Sequence, residues 1–320
     1  MSKLDSFPRG YRLNFLSPLN QGRVTTYLTL LRARQYAPST LEGIIYAVKS
    51  FFTHLPPSRY DPITTDFAQL TSKDIDDWLD IMDQRHYAAS TIANVLKTLH
   101  RFFAFLHEQG DLSDQPIRRH RHEVNVPESL PRPMPSDDVA TFFGVIDSLR
   151  DRLIFLLMLR CGLRVGEVNA LPWAAINWEH NAIRIDKSKG LVDRVVYFSP
   201  DLESDLQQWY RLQPPEAIYV FPSRFKAKHA HLSRNSLIAL MKRYVKKAEL
   251  STSYSPHHLR HAFATTLLNA GASLEVVKEL MGHQTLDMTL RYAKLYEPTK
   301  RQQYDQAMGA VEQRQNLKGK

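Results

Sequence analysis

The sequence contains very little cysteine and no long apolar run. Cys161 is the single cysteine among 320 residues, which excludes an internal disulfide and a zinc cluster built from cysteines. No uninterrupted apolar stretch approaches the roughly 20 residues that a membrane-spanning helix requires, and the first residues contain no signal-peptide core. These absences predict a protein of the reducing cytoplasm with no membrane partner.

Acidic residues are in the minority. The chain carries 42 Lys and Arg against 33 Asp and Glu, a net charge of +9, which favours an anionic partner such as nucleic acid. Residues 1–114 contain 12 residues of each sign, so the whole positive excess lies beyond them. A basic, solvated surface would produce the same balance, so the charge supports a nucleic-acid partner only together with other features.

The change in charge coincides with a proline-rich segment, residues 116–135. It begins with Pro116-Ile117-Arg118-Arg119-His120-Arg121-His122 and continues with Pro127, Pro131, Pro133 and Pro135. Prolines at this spacing do not continue a helix, so the segment is predicted to be an extended, basic linker. Such a linker would follow a phosphate backbone, although a solvated loop would have the same composition. We therefore predict two domains, residues 1–115 and 136–320.

The first domain repeats a pattern after 51 residues. Residues 36–41, Tyr-Ala-Pro-Ser-Thr-Leu, precede Phe51-Phe52, and residues 87–92, Tyr-Ala-Ala-Ser-Thr-Ile, precede Phe102-Phe103 at the same offset. Apolar residues recur at helical spacing in both copies, and Ser39 with Glu42 matches a capping box. Together with apolar patterns at 24–31 and 74–82, this predicts a small all-helical bundle.

The second domain mixes helical and strand patterns. Ser136-Asp137-Asp138 predicts a helix start, and an apolar run at 153–159 predicts a second helix that ends in a turn at Gly162. Residues 182–185 and 194–198 have β-type composition and flank a polar turn. The predicted fold class is therefore mainly α with a small β-sheet in the second domain.

The most informative feature of the chain is an ordered set of basic side chains that ends at Tyr292. The members are Arg164, Lys189, His257, Arg260 and His283. Charge builds on the non-bridging oxygens of a phosphodiester under attack, and guanidiniums meet that charge with planar forks of donors. Arg164 and Arg260 are therefore predicted to hold phosphate. Glu167 lies within helical reach of Arg164 and either fixes its rotamer or forms an ordinary surface pair with it.

Ser255 and Pro256 predict the start of a helix with His257 in its first turn. The positive end of the helix dipole disfavours imidazolium there, so His257 is predicted to be neutral and able to accept a proton. His at i and i+4 is also a metal-ligand spacing, which makes a metal site of His257, His261 and His283 the alternative. Because two nearby arginines would repel a dication, we predict no metal.

These motifs resemble those of the tyrosine recombinases, the phage-integrase and Xer group. The matching pieces are Gly-Leu-Arg-x-x-Glu at 162–167, Lys189-Gly190, Phe221-Pro222-Ser223, the run at 257–265, and Met281-Gly282-His283 with Tyr292 nine residues later. The second domain resembles their catalytic domain, and the first resembles their helical, SAM-like core-binding domain. The resemblance covers residues from about 20 to 300 and implies the two-domain tyrosine-recombinase fold.

The resemblance implies a site-specific DNA recombinase that needs no cofactor. Tyr292 would attack the scissile phosphate while His257 takes the phenol proton, and Lys189 would protonate the departing 5′-oxygen. Stabilisation of the phosphorane would fall to Arg164, Arg260 and His283. Lys187 lies close enough to Lys189 in the sequence to leave the choice of lysine open.

The resemblance also implies partners. These are double-stranded DNA with an inverted-repeat core site, a homotetramer on synapsed DNA, and either a second recombinase or an accessory DNA-bending protein. Strands would be exchanged through a 3′-phosphotyrosyl intermediate and a Holliday junction, in a cytoplasmic, nucleoid-associated protein. Residues 299–320 are predicted to form a helix that docks on a neighbouring protomer and serves oligomerisation, or else a frayed end.

Two other functions fit the same residues. A type IB topoisomerase uses the same side chains and rejoins the original strand. A sequence-specific DNA-binding regulator that has lost its chemistry would keep the basic surface, although it has no use for a nucleophile such as Tyr292.

Overall fold

The computed structural model describes residues 13–55, 60–127, 130–186, 193–223, 231–293, 304–305 and 308–309. The chain divides into two compact units, Met1–Glu128 and Ser129–Lys320. The described part of the first unit is helical, and the second unit adds a small sheet to a set of helices. The predicted fold class, mainly α with a small sheet, is confirmed.

The first unit is a bundle of helices around an aromatic core. The elements described in it are α1 (Pro18–Ala33), α2 (Pro38–Thr53), α3 (Ser72–Gln84), α4 (Ala89–Glu108) and α5 (Arg119–His122), with a 3₁₀ turn at Phe67–Gln69. The two copies of the sequence repeat become α2 and α4. Phe51 and Phe102 occupy equivalent places in the repeat and are both fully buried. The Phe51 ring packs against Trp78 at 6.1 Å and Phe103 at 6.4 Å between centroids.

The predicted capping box at the start of α2 is wrong. The helix begins at Pro38, and its N-cap is Ala37, which offers no side-chain cap. Ser39 therefore lies inside the first turn. Proline is favoured at the first position of a helix because its fixed φ suits the helix and its missing N–H is not needed there.

The segment after residue 115 is not extended throughout. Residues 119–122 form α5, and Ile117 is 4% exposed within the core of the first unit. The Ser72 hydroxyl donates to the Pro116 carbonyl at 2.9 Å, and Arg121 forms an ion pair with Asp76 of α3. The prediction of an extended linker is therefore wrong for its first part, because these contacts hold it on the bundle.

The second unit places a three-stranded sheet among helices. The elements described in it are α6 (Ser136–Gly144), α7 (Leu149–Arg160), α8 (Val165–Asn169), β1 (Ile176–Asn177), β2 (Ala182–Ile185), β3 (Arg194–Tyr197), α9 (Pro200–Arg211), α10 (Arg234–Lys247), α11 (Pro256–Asn269), α12 (Leu274–Met281) and α13 (Asp287–Ala293), with a 3₁₀ turn at Trp173–Ala175. The strands are antiparallel in the order β1-β2-β3. Ile183 of β2 lies opposite Ile176 on one side and Val196 on the other.

The apolar helix α7 organises the core of the second unit. Residues 153–158 are all buried, and the helix contacts both α9 and α11. Gly162 follows its end with a φ of +63°, and a Cβ there would lie 2.4 Å from Cδ1 of Phe263 in α11. Only glycine permits this approach without displacement, so Gly162 brings the next residues, including Arg164, against α11.

Two helix boundaries place the remaining site residues. Ser255 is the N-cap of α11 with Pro256 as the first helical residue, as predicted, and its N–H donates to His258 Nδ1 at 3.0 Å. At the end of α12, Gly282 adopts the left-handed conformation with φ +59° and precedes His283. In the described part of the chain, none of the helices combines the length and apolar character needed to span a bilayer.

Candidate active site

Three segments of the second unit meet at one place. They are the turn before α8, the first turns of α11, and α13 with the connection that leads to it from α12. They carry Arg164, His257, Arg260, His283 and Tyr292. Lys189 and its neighbour Lys187 lie outside the described residues. The structure therefore brings together the predicted site residues that it describes.

The C-terminal end of α12 binds an arginine cluster, which consists of Arg164, Arg194 and Arg260. Three successive carbonyl oxygens each accept a hydrogen bond from a different member. The pairs are Arg194 Nε to Leu280 at 2.8 Å, Arg260 Nη2 to Met281, and Arg164 Nη2 to Gly282 at 2.9 Å. The last carbonyls of a helix have no intrahelical partner and lie at the negative end of its dipole. The end of α12 therefore orients three guanidiniums.

Glu167 lies between two members of the cluster. Its Oε1 accepts from Arg164 Nη1 at 2.9 Å and from Arg194 Nη1 at 2.7 Å. Its Oε2 accepts from Arg194 Nη2 at 2.6 Å and from the Arg164 backbone N–H at 2.7 Å. Burial raises the pKa of Glu167, but the hydrogen bonds and charges of both arginines outweigh burial and lower it to about 2. The ionised carboxylate thus holds the Arg164 guanidinium, which is the first of the two alternatives that the sequence left open.

Arg260 is the most buried of the predicted phosphate ligands, with 4% exposure. Its Nη1 donates to the Gly162 carbonyl and its Nη2 to the Met281 carbonyl. Burial lowers its pKa to about 9, and the nearby Arg164 charge acts in the same direction. Arg260 therefore remains protonated at neutral pH. These bonds engage two of its five N–H donors, and the bonds from the Arg164 side chain likewise engage two of five.

Tyr292 packs directly on His283. The two rings are stacked with centroids 6.2 Å apart and an interplanar angle of 16°. Tyr292 is 3% exposed, and burial raises the pKa of its phenol although the charges of Arg260 and Arg291 lower it. The hydroxyl is therefore protonated at neutral pH and needs a base before it acts as a nucleophile.

His283 is neutral in this environment. Burial lowers its pKa to about 4, and the positive charges of Arg260 and Arg164 act in the same direction. Its Nδ1 lies 2.9 Å from the hydroxyl of Thr289, which is fully buried. With the Thr289 hydroxyl as donor, the ring proton is on Nε2, where it is a hydrogen-bond donor for an oxyanion.

The hydrogen-bond partner of the Tyr292 hydroxyl is His261, one turn after His257. The hydroxyl lies 2.6 Å from His261 Nδ1, and the ring centroids are 5.5 Å apart. Burial lowers the pKa of His261 to about 4, and the neighbouring histidines and Arg260 lower it further. A neutral imidazole therefore holds the phenol in the DNA-free chain.

His257 occupies a different position, in the first turn of α11. It is exposed, and it lines a cavity of about 510 Å³ together with Arg164, Glu167, Arg184 and Arg234. The surrounding protein lowers the pKa of His257 by desolvation, and the charges of Arg234 and Arg260 lower it further. The imidazole favours the neutral form, as predicted, and stands beside the arginines at an opening large enough for a phosphate.

Sequence reasoning missed Arg194, and it considered His261 only as a ligand in the alternative metal site. The sequence carried a signal for Arg194. Arg194 and Val196 are two residues apart in β3, so their side chains lie on the same, buried face of the strand. A charged residue in phase with the apolar side of a strand requires a buried partner. His261 lies one turn from His257 on the same helix, but its contact with Tyr292 joins residues 31 apart, which spacing does not reveal.

The site does not fit metal or thiol chemistry in the described part of the chain. Among the described residues, no group of three or more His, Cys, Asp and Glu side chains is placed to hold a metal ion. Cys161 is buried beside the site, and burial raises the pKa of its thiol to about 12. This thiol is therefore unreactive at neutral pH.

Two family models match the chain. Residues 133–299 match the phage integrase family, and residues 24–110 match the phage integrase N-terminal SAM-like domain. Among curated proteins, a tyrosine recombinase XerA of Pyrococcus horikoshii is 27% identical over 277 residues, 87% of this chain and 90% of that protein. A tyrosine recombinase XerC of Vibrio cholerae is 32% identical over 227 residues, 68% of this chain and 71% of that protein.

Solved structures show the same fold. A lambda integrase dimer bound to a COC′ core site superposes with a TM-score of 0.67 at 17% identity, over 85% of this chain and 76% of that chain. The Tn1549 transposon integrase in complex with circular intermediate DNA gives a TM-score of 0.64 at 17% identity, over 84% of this chain and 94% of that chain.

Proposed function

The chain belongs to the phage integrase family and is a tyrosine site-specific recombinase, and we propose that it cleaves DNA through a covalent bond between Tyr292 and a 3′-phosphate. The observation that carries this proposal is the convergence of the Tyr292 phenol, His283 and the arginine cluster at the end of α12. A protein that only binds DNA gains nothing from a buried phenol beside oriented guanidiniums.

In the proposed reaction, the Tyr292 oxygen forms a bond to the scissile phosphorus, and the bond to the 5′-oxygen breaks. His257 accepts the phenol proton, since its lowered pKa leaves the imidazole neutral. Lys189 donates a proton to the departing 5′-oxygen. Because His261 binds the hydroxyl in the DNA-free chain, cleavage requires the phenol to exchange this bond for the approach to phosphate.

Arg164, Arg260 and His283 stabilise the negative charge that develops on the phosphate. Both arginines are held by backbone carbonyls and keep their charge at neutral pH. Donors that are fixed before the reaction need no reorganisation as charge develops. The Nε2–H of a neutral His283 adds a donor without adding a charge. The energy of the broken bond is retained in the phosphotyrosine, so a 5′-hydroxyl from a partner strand reverses the attack without a cofactor.

DNA is the proposed partner of both units. The core-binding domain is assigned to the first unit and the catalytic domain to the second, with support from the two family models. The first unit has little net charge, but basic side chains gather at one cavity of about 440 Å³ beside α4. They are Lys97, His100, Arg101 and Arg119. Basic side chains gathered on one face bind a phosphate backbone.

Strand exchange requires more than one protomer. We propose that two protomers bind an inverted-repeat core site and that four act on two synapsed sites, passing through a Holliday junction. The related lambda integrase was solved as a dimer on a core site. A second recombinase or a DNA-bending protein is the candidate accessory partner, and residues 299–320 are the proposed link between protomers.

The proposal is tested in two steps. Purified protein is incubated with sheared DNA from its host, stopped with detergent, and the covalently bound fragments are sequenced to identify the site. A plasmid with two such sites is then treated with the protein. Site-specific recombination predicts recombinant circles, whereas relaxed circles alone would indicate topoisomerase activity. DNA retention without covalent capture or recombinants would indicate a binding protein that lacks chemistry.

A further inference from the structure

Arg194 is the member of the arginine cluster to which the proposed reaction gives no task. Its side chain is 5% exposed and lies against the Glu167 carboxylate. It binds both oxygens of Glu167, at 2.7 and 2.6 Å, and the Leu280 carbonyl at 2.8 Å. Three elements, β3, α8 and the end of α12, are therefore joined through one guanidinium.

These contacts direct the Arg194 guanidinium at Glu167 and at the end of α12. Both of its Nη atoms face the Glu167 carboxylate in a bidentate pair, and its Nε faces a helix terminus. Arg164 differs, because it meets Glu167 through a single Nη and its side chain is 22% exposed at the cavity. Arg194 is therefore directed at the carboxylate, and Arg164 is directed at the opening of the cavity.

We propose that Arg194 is a positioning residue for DNA cleavage, which occupies the Glu167 carboxylate so that Arg164 stays directed at the scissile phosphate. This inference rests on the proposed function of the site.

Arg164 and Glu167 alone form a neutral pair, and a carboxylate with both oxygens available binds a guanidinium in a fork. Such a fork would draw the second Nη of Arg164 away from the Gly282 carbonyl and neutralise the charge that meets phosphate. With Arg194 present, the three residues carry a net charge of +1, and each Glu167 oxygen already accepts from Arg194. The Arg164 side chain then makes one bond to Glu167 and one to the Gly282 carbonyl, and it retains its charge for the ligand.

The absence of a side chain at Gly282 leaves space for the Arg194 guanidinium. A Cβ at Gly282 would lie 3.0 Å from Arg194 Cδ and 3.1 Å from its Nη1. Any side chain there would press on the guanidinium that binds Glu167. The glycine that ends α12 therefore also leaves room for Arg194 beneath the helix terminus.

The test compares single-turnover cleavage by wild type, Arg194→Met and Arg194→Lys on a nicked suicide substrate at saturating DNA. We expect Arg194→Met to cleave roughly 10- to 100-fold more slowly, by analogy with the loss when a hydrogen-bond partner that orients a metal ligand is removed, with little change in DNA affinity. Arg194→Lys keeps the charge but not the fork, so its loss should be smaller.

Two further comparisons separate positioning from general damage. On a substrate with a neutral methylphosphonate at the scissile position, the gap between wild type and Arg194→Met should shrink, because the charge that Arg164 meets is absent. In Arg194→Met, adding Glu167→Gln should raise the cleavage rate, since glutamine still accepts from Arg164 but no longer draws it by charge. Arg150→Met, which breaks the Arg150–Asp151 ion pair in α7, is the control and should leave the ratio of the two substrates unchanged.

An Arg194→Met rate equal to wild type would overturn the inference, as would an equal gap on both substrates or a double variant slower than the single one. If Arg194→Met does not fold, the comparison is made with Arg194→Lys and its Glu167→Gln double variant. Failure of the wild type to form any covalent adduct would instead refute the proposed function.

Discussion

Gly162→Ala is predicted to destabilise the second unit strongly. Gly162 has a φ of +63°, and an alanine Cβ would meet Phe263 Cδ1 at 2.4 Å and Cε1 at 2.5 Å. The left-handed conformation costs a residue with a Cβ about 1–2 kcal/mol. Phe263 is 7% exposed within the core, so its ring has little space to move, and overpacking of this kind adds about 1–3 kcal/mol.

The combined loss in the free energy of unfolding is therefore roughly 2–5 kcal/mol. Because the Gly162 carbonyl accepts from Arg260, displacement of the turn should also slow DNA cleavage. Gly166→Ala is the matched control, four residues on. It lies in the first turn of α8 with nothing within 4 Å of its Cβ position, so alanine should stabilise the helix by up to about 1 kcal/mol.

The measurement is urea unfolding monitored by hydrogen exchange and mass spectrometry, because this method reports on peptides of the second unit separately from those of the first. We expect the midpoint of the second unit to fall in Gly162→Ala and to stay or rise in Gly166→Ala. Equal midpoints for wild type and Gly162→Ala, or a similar loss in both variants, would refute the reasoning.

Three further predictions follow from the site. The pKa of His283 is lowered from 6.5 to about 4. Because each pKa unit corresponds to about 1.4 kcal/mol, protonation of His283 should destabilise the folded state by roughly 3 kcal/mol. The contribution of neutral His283 to the free energy of unfolding is complete above pH 6.5 and is lost as the pH falls towards 4. In urea titrations, His283→Phe should therefore lose less stability than wild type between these pH values. An equal loss in both proteins would contradict this. Lys189→Ala should slow cleavage far more than Lys187→Ala, and a 5′-bridging phosphorothiolate, whose thiolate leaves without a proton, should largely restore it; absence of rescue would remove Lys189 from the role of acid. Deletion of residues 299–320 should preserve binding to a single site and abolish the four-protomer synaptic complex in native electrophoresis, whereas normal synapsis would show that the tail is dispensable.

Sequence patterns predicted the helices whose position is determined by residues close to one another in the sequence. The repeat identified α2 and α4 because apolar periodicity is a property of each segment alone. The start of α11 was predicted for the same reason, since Ser255 and Pro256 act within one turn. The start of α2 was misplaced because Ser39 and Pro38 both favour helix starts, and the proline prevailed.

Contacts between distant segments were beyond such patterns. The strand β1 has two residues and exists only by pairing with β2. Arg194 meets Glu167 across 27 residues and Leu280 across 86. The ordered set of basic residues therefore predicted which side chains gather near Tyr292, but not how the end of α12 and Glu167 orient the guanidiniums.

The nucleophile is the central claim, and trapping it on DNA tests the claim most directly. A nicked suicide substrate releases a short strand after cleavage, so the covalent adduct accumulates and its peptide is identified by mass spectrometry. We predict an adduct on Tyr292 in wild type and in Tyr296→Phe, the control four residues on, and none in Tyr292→Phe. The Tyr292→Phe variant should bind the site with unchanged affinity because only the hydroxyl is lost. An adduct that persists in Tyr292→Phe would contradict the account and assign the attack to another residue.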